Sequence, residues 1–326
     1  MTGTTCLYDE IVKRTSGDTI VLFLSLIFVS TNLLAQAKYD SIIFNGDSPQ
    51  RVMVYPYKEK LLIYNKVKPF QFVTQMPRTF QGSAKMTFRK ESIPMLVVMT
   101  GSTLLLVSFD QKITNGMKNL SEFIDLEPAR NYKTIITFKA GSTPVNVYEL
   151  PQNFNSVLYS IGEGSTSVLI SGGLFLYGKI SKDYRALSTA SQIIQAQLVM
   201  GITTQFIKRI SGRESPFNSS APGGVWRPFP NPADYQKSVS RYDAFPSGHL
   251  GTMMATTVVL LDNYPEKRWL KPVAYGLIGI VGFAMINNEV HWAGDYPLAL
   301  GLGYVTGKVT VKLNRALCYK RRKDGI

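Results

Sequence analysis

This chain has little cysteine, little histidine and few acids. Its 326 residues include two cysteines and two histidines. Two cysteines cannot supply a disulfide framework or a cysteine-based metal cluster, so the fold must rest on a hydrophobic core, which a chain of this length can build. Acidic residues number 22 against 36 Lys and Arg, a formal charge of +14. That surplus suits an anionic substrate or an anionic membrane surface. No nucleic-acid-binding module is legible, so nucleic acid is not expected as a partner. No metal-ligand cluster and no cofactor motif is present either.

The N-terminus reads as a leader. Lys13 and Arg14 form a basic start, residues 20–29 an apolar stretch, and Ala35-Gln36-Ala37 a small-residue cleavage site. On this reading residues 1–37 are a secretory signal peptide, Cys6 leaves with it, and Cys318 stands alone. Residues 38–90 read as an irregular extension with strand-like runs at 52–57 and 61–67. Residues 91–315 form the main domain, and 316–326 a basic C-terminal tail ending in Lys320-Arg321-Arg322-Lys323.

The main domain holds six apolar segments of helix length, at 93–109, 157–177, 186–210, 247–261, 270–287 and 295–313. The expected fold class is all-α, a six-helix core bundle behind a partly β N-terminal extension. Between the first two segments, residues 110–155 are polar with strand-like pieces at 132–138 and 145–148. A second connection, 211–245, is rich in Pro, Gly, Ser and aromatics and reads as a loop. Loops of that length are usually functional.

About 20 apolar residues cross a bilayer, and several segments qualify. Yet Glu163, Gln192, Gln195, Gln197, Gln205 and Lys308 fall inside them, and mean hydropathy is only +0.01. A cleaved leader followed by three crossings would also put the loop after Ile210 in the cytoplasm. These points favour an exported, periplasmic bundle lying against the membrane over one that spans it.

Each histidine sits in a phrase suited to catalysis. His249 closes Phe245-Pro246-Ser247-Gly248-His249, and His291 opens His291-Trp292-Ala293-Gly294-Asp295. Imidazole is the side chain best matched to proton transfer and attack near neutral pH. A Pro-Ser-Gly turn entering a helix offers free N–H groups and the positive end of the helix dipole to an anion. Ser247 suits the N-cap, and Gly248 permits close approach of a ligand. His291 and Asp295 lie four apart, so on a helix they share a face, with the carboxylate fixing the imidazole tautomer. A third phrase, Lys208-Arg209-Ile210-Ser211-Gly212-Arg213-Glu214-Ser215-Pro216, closes the third segment, and Lys208 supplies a point charge for a phosphate oxygen.

In order and spacing these phrases resemble the type 2 phosphatidic acid phosphatase family, which shares its helical core with bacterial acid phosphatases and vanadium haloperoxidases. The family pattern is K-x6-R-P, then P-S-G-H, then S-R-x5-H-x3-D, and the resemblance covers about residues 90–315. It implies that His291 attacks phosphorus to form a phosphohistidine. By the same resemblance His249 protonates the leaving oxygen and then activates water, while Asp295 orients His291. Lys208, Arg213, Ser247 and Gly248 would bind the phosphate, with no metal or cofactor.

Two family arginines are missing. Ser215 stands at the R of K-x6-R-P, and Ala284-Met285 at the S-R pair. Each lost charge-assisted contact is typically worth about 1.5–3 kcal/mol. Arg213 is the first candidate to compensate, with Arg227 and Arg241 in the long loop behind it. Apolar Met285 argues against a haloperoxidase, since vanadate would want the same charges. The expected function is hydrolysis of a phosphomonoester or pyrophosphate, of a membrane lipid by the basic balance and apolar helices. A non-catalytic relative binding an anionic lipid or a protein partner is the alternative, and a lipid phosphotransferase the third reading.

Overall fold

A computed structural model describes residues 39–45, 48–126, 132–140 and 143–319. The leader, Cys6 and residues 320–326 of the tail lie outside these. Strands β1 (Tyr39–Asn45), β2 (Ser48–Tyr57) and β3 (Lys60–Asn65) form an antiparallel meander, with Lys58 at positive φ in the β2–β3 turn. Short helix α1 (Gln71–Thr74) and helix α2 (Met76–Thr87) lead into α3 (Ile93–Phe123). The hairpin of β4 (Tyr132–Ala140) and β5 (Thr143–Pro151) follows, then α4 (Phe154–Ile161), α5 (Gly164–Ile180) and α6 (Tyr184–Ser211). After the long loop and a short helix α7 (Pro232–Lys237) come α8 (Gly248–Asn263), α9 (Leu270–Asn287), α10 (Tyr296–Asn314) and strand β6 (Ala316–Tyr319).

The bundle is mostly helical, as the apolar segments led one to expect, with three differences. Helix α3 continues past 109 to Phe123. Asp110, whose charge suggests a helix end, is instead buried mid-helix against an arginine. The segment at 157–177 is two helices broken at Gly162-Glu163. A Cβ on Gly162 would meet Val281 Cγ1 at 2.4 Å, so α4 and α9 approach too closely for any other residue there. Finally, 316–319 are not free tail, because β6 pairs with β3 and closes the sheet in the order β1-β2-β3-β6. Cys318, expected to stand alone, is disulfide-bonded and lies in the apolar cluster of Val52, Val54, Leu61 and Ile63.

Helices α8 and α10 pack nearly backbone to backbone: a Cβ on Gly303 would lie 2.3 Å from the Gly251 carbonyl oxygen. Leu250, Met254, Val281, Met285 and Ala299 fill one side of this contact, and Ile193, Met200, Ala255 and Val311 the other. Of the polar residues that argued against a membrane bundle, Gln192 and Gln195 turn inward, whereas Gln205 stays exposed. Gln192 Oε1 accepts from Asn263 Nδ2 (2.6 Å), and Gln195 Nε2 donates to Thr79 Oγ1 (2.6 Å). Lys308 pairs with Asp262 at 2.7 Å, and Glu163 sits in the α4–α5 break. Satisfied polar groups facing a bundle interior are compatible with a hydrocarbon surround.

The outward faces are apolar. Val97, Val98 and Leu104 on α3, Leu176 on α5, and Ile202 and Phe206 on α6 are exposed. Lys90–Phe123 and Leu270–Asn287 are long and apolar enough to cross a membrane.

The sheet caps one end of the bundle. Tyr55 donates to the N-cap Asp183 of α6 (2.8 Å), and Tyr64 to Asn263 at the end of α8 (3.0 Å). Arg185 is pinned between the rings of Tyr264 and Tyr55, 4.0 and 4.7 Å away, and pairs with Glu266 at 2.6 Å. All these contacts lie at the end of α6 opposite Lys208, about 30–40 Å away by helix rise. Arg185→Ala should lower the unfolding free energy by about 3 kcal/mol, since it leaves Glu266 unpaired and strips both stacks. Thermal unfolding in detergent would detect it, and an unchanged midpoint would contradict this anchoring role.

Candidate active site

The end of the bundle remote from the sheet gathers Lys208, at the close of α6, with Ser247, Gly248 and His249 at the start of α8. Residues 291–295, between α9 and α10, complete it. Helix α6 stops because Gly212 takes φ +56. A Cβ there would lie 1.7 Å from the Arg227 carbonyl oxygen, so glycine is obligatory on two counts. The chain then runs extended through Arg213 and Glu214, and the Arg213 carbonyl accepts from Ala244 N–H at 3.0 Å. This pairing brings the phrase that begins at Lys208 against the start of the one that ends at His249.

His291 is buried, and its Nδ1 lies 2.8 Å from the Ala244 carbonyl oxygen. A carbonyl can only accept, so Nδ1 carries the proton and Nε2 is left with its lone pair. Asp295 Oδ2 stands further off, at 3.4 Å. The two residues do not share a helix face. His291 precedes a 3-10 turn at Ala293–Asp295, and the turn itself brings the carboxylate round. Asp295 occupies the N-cap position of α10 without capping it. Its Oδ2 accepts from Trp292 N–H at 2.8 Å, and its Oδ1 from Arg213 Nη1 at 2.7 Å.

Arg213 lies apart from the other proposed phosphate ligands. It is wholly buried, and its Nη2 reaches Asp110 Oδ2 at 2.5 Å and the Gly223 carbonyl at 2.8 Å. Trp226 and Trp292 flank its guanidinium, 4.8 and 5.4 Å away. With a carboxylate on either side, the Arg213 guanidinium is balanced within the protein and lies behind Asp295. Asp110 is the residue that sequence reasoning missed. Its other oxygen accepts Gly294 N–H at 2.8 Å, and a Cβ on Gly294 would press within 2.8 Å of the same carboxylate. The available signal was an acid inside an otherwise apolar run.

His249 is half-buried, its ring 5.9 Å from that of His291 and 5.1 Å from Tyr159 of α4. Helix α4 is held there by Asn155, which donates to Asn288 (2.6 Å) and accepts from Asn287 (3.2 Å). Ser247 caps α8 by accepting from Leu250 N–H (3.5 Å), so the positive end of the helix lies at His249. A Cβ on Gly248 would meet only Thr204 Cγ2, at an ordinary 3.6 Å, so nothing in the protein itself demands glycine at that position.

Lys208, 6% exposed, pairs with Asp243 at 3.3 Å. Neither position of the missing arginines faces a vacancy. Ser215 is buried, its N–H bonded to the Ser240 carbonyl, and Met285 is fully buried with its sulfur 3.8 Å from Ser247 Oγ. Of the other compensating candidates, Arg227 pairs with Glu214 and Arg241 is exposed. Trp226 stacks on Phe245, Tyr235 is buried, and Phe229 stays largely exposed. Among the described residues no group of three or more His, Cys, Asp and Glu is placed to hold a metal ion.

Glu214 ties the loop together. Burial pushes its carboxyl up, but the N–H groups of Ser220 and Val225, Arg227 and the Ser220 hydroxyl together hold it below the ordinary 4.5. A folded value below the unfolded one means ionised Glu214 stabilises the loop at neutral pH. That contribution is lost as the pH falls below about 4.5 toward the folded value. Glu214→Gln should therefore flatten the acid limb of the stability curve, as read by thermal unfolding from pH 3 to 7. Asp110→Ala should cost about 3–5 kcal/mol by leaving Arg213 half-compensated in the interior. A loss below about 1 kcal/mol in denaturant unfolding would contradict that account.

Residues 189–317, which contain every one of these groups except Asp110, Asn155 and Tyr159, match the model of the PAP2 superfamily. No curated protein matches the chain. A solved structure, a transmembrane PAP2-type phosphatidylglycerolphosphate phosphatase from Bacillus subtilis, aligns at 14% identity. The alignment covers 75% of this chain and 96% of that one, with a TM-score of 0.37, a likeness that adds nothing to the geometry above. The match of residues 189–317 is to the family that the three phrases of the sequence resemble.

Proposed function

We propose that this protein is a membrane-embedded hydrolase of lipid phosphate esters, working through a phosphohistidine on His291. The observation that carries this reading is the pairing of the two imidazoles. His291 has its Nδ1 proton committed to the Ala244 carbonyl, and His249 stands 5.9 Å away, ring to ring. The free Nε2 lone pair forms the P–N bond while the P–O bond to the alcohol breaks, and His249 gives its proton to the departing oxygen. Water then loses a proton to His249 and attacks phosphorus, the P–N bond breaks, and phosphate leaves. Asp295 and the Ala244 carbonyl stabilise the imidazole as positive charge develops. Lys208 and the positive end of α8 face the phosphate oxygens.

The membrane part of the proposal rests on the exposed apolar faces and on the distribution of basic residues. The short connections at the sheet end carry Lys179, Lys182 and Arg185, then Lys267, Arg268 and Lys271. The short connection at the site end, 288–295, carries none. Short cytoplasmic loops are enriched in Lys and Arg, so the sheet end is cytoplasmic and the site faces the periplasm or exterior. A cleaved leader that delivered residue 38 outside would reverse this, and such cleavage is not part of the proposal.

A second reading, an anion-binding relative without turnover, is favoured by Met285, which fills with an apolar side chain the place of a family arginine. Phosphate and alcohol release by the full chain in detergent, across soluble and lipid phosphate esters, separates the two. Hydrolysis should vanish in His291→Ala and fall about 10²–10⁴-fold in His249→Ala. Equal background in all three proteins would favour the binder.

A further inference from the structure

We infer that this site selects a phosphodiester, whose phosphorus carries one negative charge, over the dianionic phosphomonoester expected from the motifs. The inference rests on the phosphohistidine reading above. It follows from where the cations of the site end up. Lys208 shares its charge with Asp243 at 3.3 Å. Arg213 is spent on Asp110 and Asp295, and Arg227 on Glu214. The two remaining family positions hold Ser215 and Met285, both buried and neutral. Lys208 and Asp243 together contribute no net charge to the cleft. What remains positive is the start of α8, equivalent to about half an elementary charge, and the single proton that His249 carries for the leaving oxygen.

A monoester dianion placed here would meet the Asp243 carboxylate with two charges and find little to balance them. Arginine clamps offset the charge on a transferring dianionic phosphoryl group, and they can supply about 10³–10⁵ in rate where present. A diester has one charge, spread over two oxygens, which Lys208 and the α8 N–H groups suffice to meet. Met285 and Ser215 then have a positive role, because a neutral wall accommodates the second ester substituent where an arginine would demand an anion. Asp243, 26% exposed along its side chain, also stands where it would accept a cationic substituent.

The chemistry balances without a co-reactant. His291 Nε2 forms a bond to phosphorus, one P–O ester bond breaks, and His249 protonates the released alcohol. The adduct on His291 keeps the second ester group. Water, giving a proton to His249, displaces His291 and yields a monoester. That dianion is repelled by Asp243, so the product departs without a second round of hydrolysis.

The test compares kcat/KM of the full chain in detergent for p-nitrophenyl phosphorylcholine, bis(p-nitrophenyl) phosphate and p-nitrophenyl phosphate, beside His291→Ala. Both diesters should exceed the monoester by at least about tenfold, the equivalent of one charge-assisted contact. Asp243→Asn, which keeps the size of the side chain and removes its charge, should shift the monoester-to-diester ratio about tenfold toward the monoester by releasing Lys208. Mass spectrometry of the quenched diester reaction should find an adduct on His291 that retains its alcohol. His291-dependent turnover that prefers the monoester, or a ratio unmoved in Asp243→Asn, would overturn the diester assignment and leave the phosphohistidine reading standing. Turnover of every probe indistinguishable from that of His291→Ala would bring down both.

Discussion

One buried arginine organises this end of the molecule. Arg213 lies between Asp110 of the third helix and Asp295 before the tenth, with a tryptophan on either side. A guanidinium cannot shed its proton, so in an interior it must be matched by anions and its donors must find acceptors. The geometry of that match ties α3, the loop after α6 and the turn before α10 into one unit. The backbone of Arg213 meanwhile holds Ala244, whose carbonyl holds His291. The orientation of the His291 imidazole therefore depends on a wholly buried set of opposite charges.

That arrangement accounts for a departure from the family pattern. The arginine best placed in sequence to replace a lost phosphate ligand is already committed, so the lost charge is not restored. Lys208 is the remaining buried cation facing the cleft, and Asp243 shares it. A site built this way departs from the motif pattern in its charges, while both histidines and Asp295 stand where the pattern has them.

Much was legible in the sequence because it depends on local spacing. The helices appear as apolar runs, and β2, β3, β4 and β5 as alternating ones. His249 and His291 stand out because the chain uses histidine nowhere else. Where reading stopped short, a long-range partner decided the outcome. Asp110 looks like a helix breaker until Arg213, 103 residues away, neutralises it. Gln192 and Gln195 look like arguments against a membrane until Asn263 and Thr79 satisfy them. Residues 316–319 look like tail until β3 offers them an edge.

The amino-acid sequence by itself determined that this is a basic, mostly helical chain with two catalytic-looking imidazoles and a cradle two arginines short. Those properties reside in composition and in spacings of a few residues, where periodicity and residue chemistry speak directly. Only the tertiary structure decided that Arg213 pairs with Asp110 and Asp295, and that Asp243 shares Lys208. It also put the sheet and the imidazoles at opposite ends of the bundle. Charge compensation acts between groups distant in the chain, and which acid meets which base is known only once the helices have packed.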